Sequence, residues 1–178
     1  LVAILAALIG GALLCAFAPR AGAALYGAAL LLLAAWLGLF DIARRTIAAN
    51  GLSRFMAVAL LLGYGWLAVG GMAWFAMAWG LPTRDAALHA VGLGFIVSMV
   101  MAHAPVILPA VARIKLLYGL WFYAPLALLH GSLLLRIGFG LFDAGLRRTG
   151  AWLNALAIAL FALTLVASAL AWKRRKTV

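Results

Sequence analysis

The sequence is short of acid. Asp41, Asp85 and Asp143 are its three acidic residues in 178, and each falls in an expected loop or at the end of an apolar run. No carboxylate is left inside a run to carry a proton or a sodium ion, which weighs against acid–base catalysis and against an ion-coupled transporter. Cysteine is scarcer still. The single Cys15 has no internal disulfide partner and no metal-ligand spacing around it, so it reads as a small apolar filler. No phosphate-binding loop, serine or cysteine nucleophile elbow, or zinc-protease motif occurs. Long polar segments are also missing, which excludes a soluble catalytic lobe. No internal repeat stands out, and no low-complexity segment beyond a Leu/Ala bias.

What the chain does have is hydrocarbon. Apolar residues make up 69 % of it and charged residues 10 %, with a mean hydropathy of +1.20; soluble domains are about half apolar. Continuous Leu/Ala runs exclude a β-barrel, whose strands alternate apolar and polar. The expectation is an all-α, polytopic transmembrane helical bundle of about six spans, over residues 1–18, 22–40, 55–80, 86–111, 116–140 and 151–172. Each is near the roughly 20 residues that cross a bilayer. The chain starts at Leu1 rather than Met and its first run is short. It therefore reads as the C-terminal part of a longer protein, a single transmembrane domain with a truncated first helix.

The formal net charge of +11 would suggest nucleic acid in a soluble chain. Here the basic residues flank the apolar runs, where they orient helices and meet anionic lipid; no nucleic-acid partner is expected. Arg44, Arg45, Arg54, Arg113, Lys115, Lys173, Arg174, Arg175 and Lys176 fall on one side. Arg20, Arg84, Arg147 and Arg148 fall on the other, with Arg136 just inside the membrane. The richer side should be cytoplasmic. An even number of spans then puts both termini there.

All three histidines, His89, His103 and His130, lie between Asp85 and Arg136 in otherwise apolar sequence. An imidazole in hydrocarbon is costly unless its nitrogens are satisfied, and it is the commonest protein ligand for haem iron and copper. His89, Gly92, Ile96, Met99 and His103 are spaced to share one helix face. Pro105 and Pro109 follow, each removing a backbone donor. The helix is expected to kink or unwind just past His103, a setting in which ligands bind. In the next span Tyr123, His130 and Ile137 form one stripe, loosened by Pro125. His89, His103 and His130 are the candidate metal and cofactor ligands. Arg136 either snorkels to the surface or holds an anion such as a haem propionate. The bland alternatives are a solvated His89 and histidines that only cross-link helices. By helical rise, His130 falls between the depths of the other two, about 10 Å from either. One haem with two axial histidines from this segment is not guaranteed; two centres, or a partner histidine elsewhere, would fit.

The stretch LLGYGWLAVGGMAWFAMAWGLP, followed by RDAALHAVGLGFIVSMVMAHAPVILPAV, resembles the second half of the NnrS family, over about residues 61–114. The resemblance lies in a Leu-Gly-Tyr-Ala-Trp-type stretch, then a Leu-His-Ala segment opening the next helix, then a Gly-rich run. It implies a bacterial inner-membrane protein linked to haem and copper and to protection against nitric oxide during denitrification, with His89 at the Leu-His-Ala histidine. The chain departs from the family further on. It has His103-Ala104-Pro105 where a Gly-His-Thr-Gly type segment is usual, and Leu62 where a histidine often precedes the Gly-Tyr pair.

The leading expectation is a haem-binding, and second a copper-binding, membrane protein for nitric oxide or respiratory-stress handling. Its partners would be the bilayer and either a missing N-terminal half or a second copy. The alternative is a cofactor-free transporter or channel module with His103 at a broken helix. A third reading is an assembly subunit.

Overall fold

A computed structural model describes residues 1–174, and the expected basic residues Arg175 and Lys176 lie outside the described residues. The fold is all-α, with no strand among the described residues. In chain order the helices are α1 (Val2–Leu14), α2 (Pro19–Phe40), α3 (Ala43–Thr46), α4 (Gly51–Ala78), α5 (Arg84–His89), α6 (Ser98–Ala112), α7 (Tyr123–Leu133) and α8 (Ala144–Arg174). A π-helical stretch, Ala90–Val97, joins α5 to α6 in one continuous helix. Another, Leu134–Gly138, extends α7. Among the described residues, five helical segments are long and apolar enough to cross a membrane. Of the six expected spans the first, α1, falls short: its 13 residues cover only about 20 Å.

Sequence punctuation explains most boundaries. Pro19 opens α2, where its missing N–H costs nothing. The Asp41 carboxylate accepts the Ala43 N–H at 2.8 Å and starts α3. Asp143 accepts the N–H groups of Gly145 and Leu146 at 2.6 and 3.0 Å and starts α8 as its N-terminal cap. Arg113, in the left-handed region at φ 55°, ends α6.

The centre of the bundle is α4, which packs against α2, α5, the first π-stretch and α6, while α8 packs against α7. Small residues allow this closeness. Where α2 crosses α4, a Cβ on Gly27 would lie 2.8 Å from the Gly71 carbonyl oxygen, and one on Gly71 would lie 3.0 Å from that of Gly27. On the other side of α4, Gly94 sits against the Trp66 ring and Gly63 against Met99. At one end of α4, Phe55 is wholly buried among Tyr118, Phe122 and Tyr123, with ring centroids 5.2–6.1 Å apart.

Two expectations need correction. The helix does not break past His103: α6 runs through Pro105 and Pro109 to Ala112. Each proline deletes one donor, but the neighbouring rungs have no water to turn to in apolar surroundings, so the ladder continues. The irregularity lies upstream instead, in the π-turns opposite Trp66. The fifth apolar segment also begins later than expected, at Leu120, because residues 113–119 form no regular element.

Gly27→Ala is expected to lower stability by about 1–3 kcal/mol through overpacking at the α2–α4 crossing. Thermal unfolding of the detergent-solubilised protein would show it as a lowered midpoint; an unchanged midpoint would mean that the helices can separate freely there.

Candidate functional site

The three helices α4, α6 and α7 meet at one buried polar centre. The Trp66 indole N–H donates to His130 Nδ1 at 2.7 Å, and the two rings lie nearly parallel, 13° apart with centroids separated by 6.5 Å. An indole N–H can only donate. Nδ1 is therefore the acceptor, and the proton of the neutral imidazole sits on Nε2. That nitrogen faces Ser98 Oγ at 3.4 Å, and the Ser98 hydroxyl donates onward to the Gly94 carbonyl at 2.6 Å. Donors and acceptors thus run in one consistent direction from Trp66 to the π-helical backbone. His130 and Ser98 are both buried. With both nitrogens engaged, His130 has no lone pair left over for a metal in this arrangement.

The residues flanking this centre line an apolar groove of ≈ 490 Å³ between α4 and the α7 segment, walled by Leu62, Trp66, Val69, His130, Leu134 and Ile137.

The family-level comparison matches residues 1–170 to Domain of unknown function (DUF8744). The chain belongs to that family. No curated protein and no solved structure matches it.

In this DUF8744 chain the remaining candidate residues sit apart from the Trp66–His130–Ser98 centre. Arg136, in the second π-stretch, grips Asp85 at the start of α5. Its Nη2 lies 2.9 Å from one carboxylate oxygen and its Nε 3.4 Å from the other. This forked pair ties the two helical segments together. The anion that Arg136 holds here is thus Asp85. Gly150 of α8 packs on the Arg136 backbone so closely that a Cβ would lie 2.8 Å from its nitrogen. His89 joins the same cluster, with Nδ1 2.8 Å from its own Asp85 carbonyl and 3.2 Å from the carboxylate.

His103 repeats half of that pattern. Its Nδ1 lies 2.8 Å from the Met99 carbonyl one turn back, and the ring is half-buried. His89, His103 and His130 are thus not gathered at one point. Among the described residues no group of three or more His, Cys, Asp or Glu side chains could hold a metal together.

Sequence reasoning did not single out Trp66 or Ser98 as a partner of His130. It passed over Asn154 altogether. That side chain is buried in α8, and neither its amide nitrogen nor its oxygen has a hydrogen-bond partner among the described residues. A signal was present: Gly150, Asn154, Ala157, Phe161, Thr164 and Ser168, all buried, repeat at spacings of 4, 3, 4, 3 and 4, the seam of a helix packed on a neighbour. A polar amide on such a seam stands out.

Two stability measurements test this geometry. A double-mutant cycle of Trp66→Phe and His130→Phe should show a coupling of about 0.5–2 kcal/mol, the range of buried interhelical hydrogen bonds. Additive effects would remove the bond as an organising contact. Asn154→Leu should raise the unfolding midpoint, by about 1 kcal/mol of stability, since it removes buried polar atoms that have no partner. A lowered midpoint would show that the amide does hold one.

Proposed function

We propose that this is an integral protein of the bacterial inner membrane that carries haem, with copper as the second candidate, on His89 and His103. Its role would be in nitric oxide or respiratory-stress handling, as the resemblance to the NnrS family suggests. One observation carries the ligand assignment. Each of these imidazoles points Nδ1 at a backbone carbonyl four residues back, at 2.8 Å. Such a bond places the ring proton on Nδ1 and leaves the Nε2 lone pair for a metal, the usual tautomer of a metal-bound histidine with its supporting contact. His130, engaged at both nitrogens, fits that chemistry poorly and serves the bundle instead. A propionate at Arg136 would have to displace Asp85.

His89 and His103 are fourteen positions apart, or about 21 Å of helix, too far for one metal. Two separate centres follow, each completed by a ligand from outside the described residues, in a second copy or a further segment of chain. A haem held there would supply a redox-active iron able to take nitric oxide.

The membrane reading is supported by five helices of spanning length and by an outward surface rich in large apolar side chains, among them Leu32, Val100, Leu156 and Leu163. Soluble monomers rarely expose so much. Arg54 lines a groove with Tyr118 and Leu120, and Lys115 lies over Trp172. These contacts put the basic ends of α4, the α6–α7 connection and α8 together, as one shared cytoplasmic face would require.

The second reading, a cofactor-free transporter or channel module, draws on the π-helical Ala90–Val97 inside a spanning segment, since such turns cluster at functional sites.

Visible spectra of the protein purified in mild detergent, oxidised and dithionite-reduced, with iron and copper quantified, decide between the readings. A Soret band that shifts on reduction should appear, and should weaken in His89→Ala and in His103→Ala. A featureless spectrum without stoichiometric metal, from folded protein, would reject the haem–copper reading. Loss of the band in His130→Ala alone would reject the ligand assignment.

A further inference from the structure

The connection between α6 and α7 and the end of α8 enclose a notch of ≈ 580 Å³ whose lining includes Arg113, Lys115, Val166, Leu170, Trp172 and Lys173. Its walls are tied together. The Leu117 N–H donates to the Ser168 carbonyl at 3.2 Å, and the Ser168 hydroxyl donates back to the Leu117 carbonyl. The Lys115 ammonium lies 5.7 Å from the centre of the Trp172 ring. The basic rim therefore belongs to a fixed structure in which two chain segments converge.

Among the described residues no acidic side chain pairs with Arg113 or Lys115. The three acidic residues of the whole chain are engaged elsewhere: Asp41 caps α3, Asp85 holds Arg136, and Asp143 caps α8. None of them lines the notch. The lower wall is of opposite character. Val166 and Leu170 are more than half exposed, as is Leu163 one turn further along α8. They form an apolar track that leads away from the cations along the bundle surface. A positive rim, an aromatic ring at its edge and an apolar track beneath match a phosphate diester with acyl chains.

We propose that this notch binds the headgroup phosphate of an anionic glycerophospholipid, with an acyl chain along Leu163, Val166 and Leu170. The inference rests on the membrane reading and is independent of any cofactor.

Native mass spectrometry of the full chain in mild detergent, titrated with phosphatidylglycerol and with phosphatidylcholine, tests it. The wild type should retain phosphatidylglycerol over phosphatidylcholine. Arg113→Gln with Lys115→Gln should weaken that retention by roughly 10-fold or more, at about 1 kcal/mol per basic residue near an anionic surface. Arg20→Gln with Arg84→Gln removes the same charge from exposed positions outside the notch and should leave retention unchanged. Helical circular dichroism should be the same in both double variants. Equal loss in the two pairs would mean that net charge alone attracts lipid, and no loss in the Arg113/Lys115 pair would also overturn the site. Displacement of the lipid by millimolar inorganic phosphate would assign the notch to a free anion instead. A chain that stays dispersed without detergent would reject the membrane reading itself, a result distinct from all of these.

Discussion

A buried polar group in apolar surroundings must find its partner inside the protein, and in this bundle that requirement converges on His130. Its ring takes a hydrogen bond from Trp66 on α4 and faces Ser98 on α6, which passes its own proton toward the Gly94 carbonyl. Three helical segments are thereby held in register by groups that would each be costly alone. The π-helical turns of Ala90–Val97 lie at the end of this chain of bonds, where Gly94 meets the Trp66 ring. The widened helix, the indole and the imidazole form one structural unit.

Close approach of backbones supports that unit from outside. Gly27 and Gly71 at the α2–α4 crossing, and Gly150 against Arg136, remove side chains where helices touch. Between apolar helices in a lipid setting the hydrophobic effect gives little net attraction, so dispersion at short range and interhelical hydrogen bonds carry the association. The Asp85–Arg136 fork adds one charged tie, between the start of α5 and the far end of the α7 segment. The same fork neutralises a charge that sequence reasoning had offered to an external anion.

The histidines divide by the same logic. One is spent on packing; His89 and His103 each turn Nδ1 to a carbonyl of their own helix. The helices also leave a notch rimmed by Arg113 and Lys115, neither of which has a carboxylate partner among the described residues. Acidic residues are few, and their carboxylates serve as caps and as the partner of Arg136.

Much of the architecture was legible beforehand because it depends on local quantities. Apolar run length, the prolines and glycines between runs, and the basic clusters located the ends of the long helices to within four residues, except that α8 starts at Ala144, seven before the expected 151. Arg113 and Lys115 were placed correctly as connection residues. The proline break after His103 was misjudged because a lost donor is a local penalty, whereas the surrounding ladder has no alternative partner and holds. Trp66 does not stand out in the sequence, because an indole on an apolar face has the same signature whether or not its N–H is bonded. Sequence by itself determined the all-α class, the length and order of the helices, and the scarcity of acid, since each follows from composition along the chain. Only the tertiary structure decided that His130 faces Trp66 and Ser98, that Arg136 closes on Asp85, and that the three histidines stay apart. Those pairings span 32 to 64 positions and depend on how the helices rotate against one another, which hydrophobic periodicity leaves open when nearly every face is apolar.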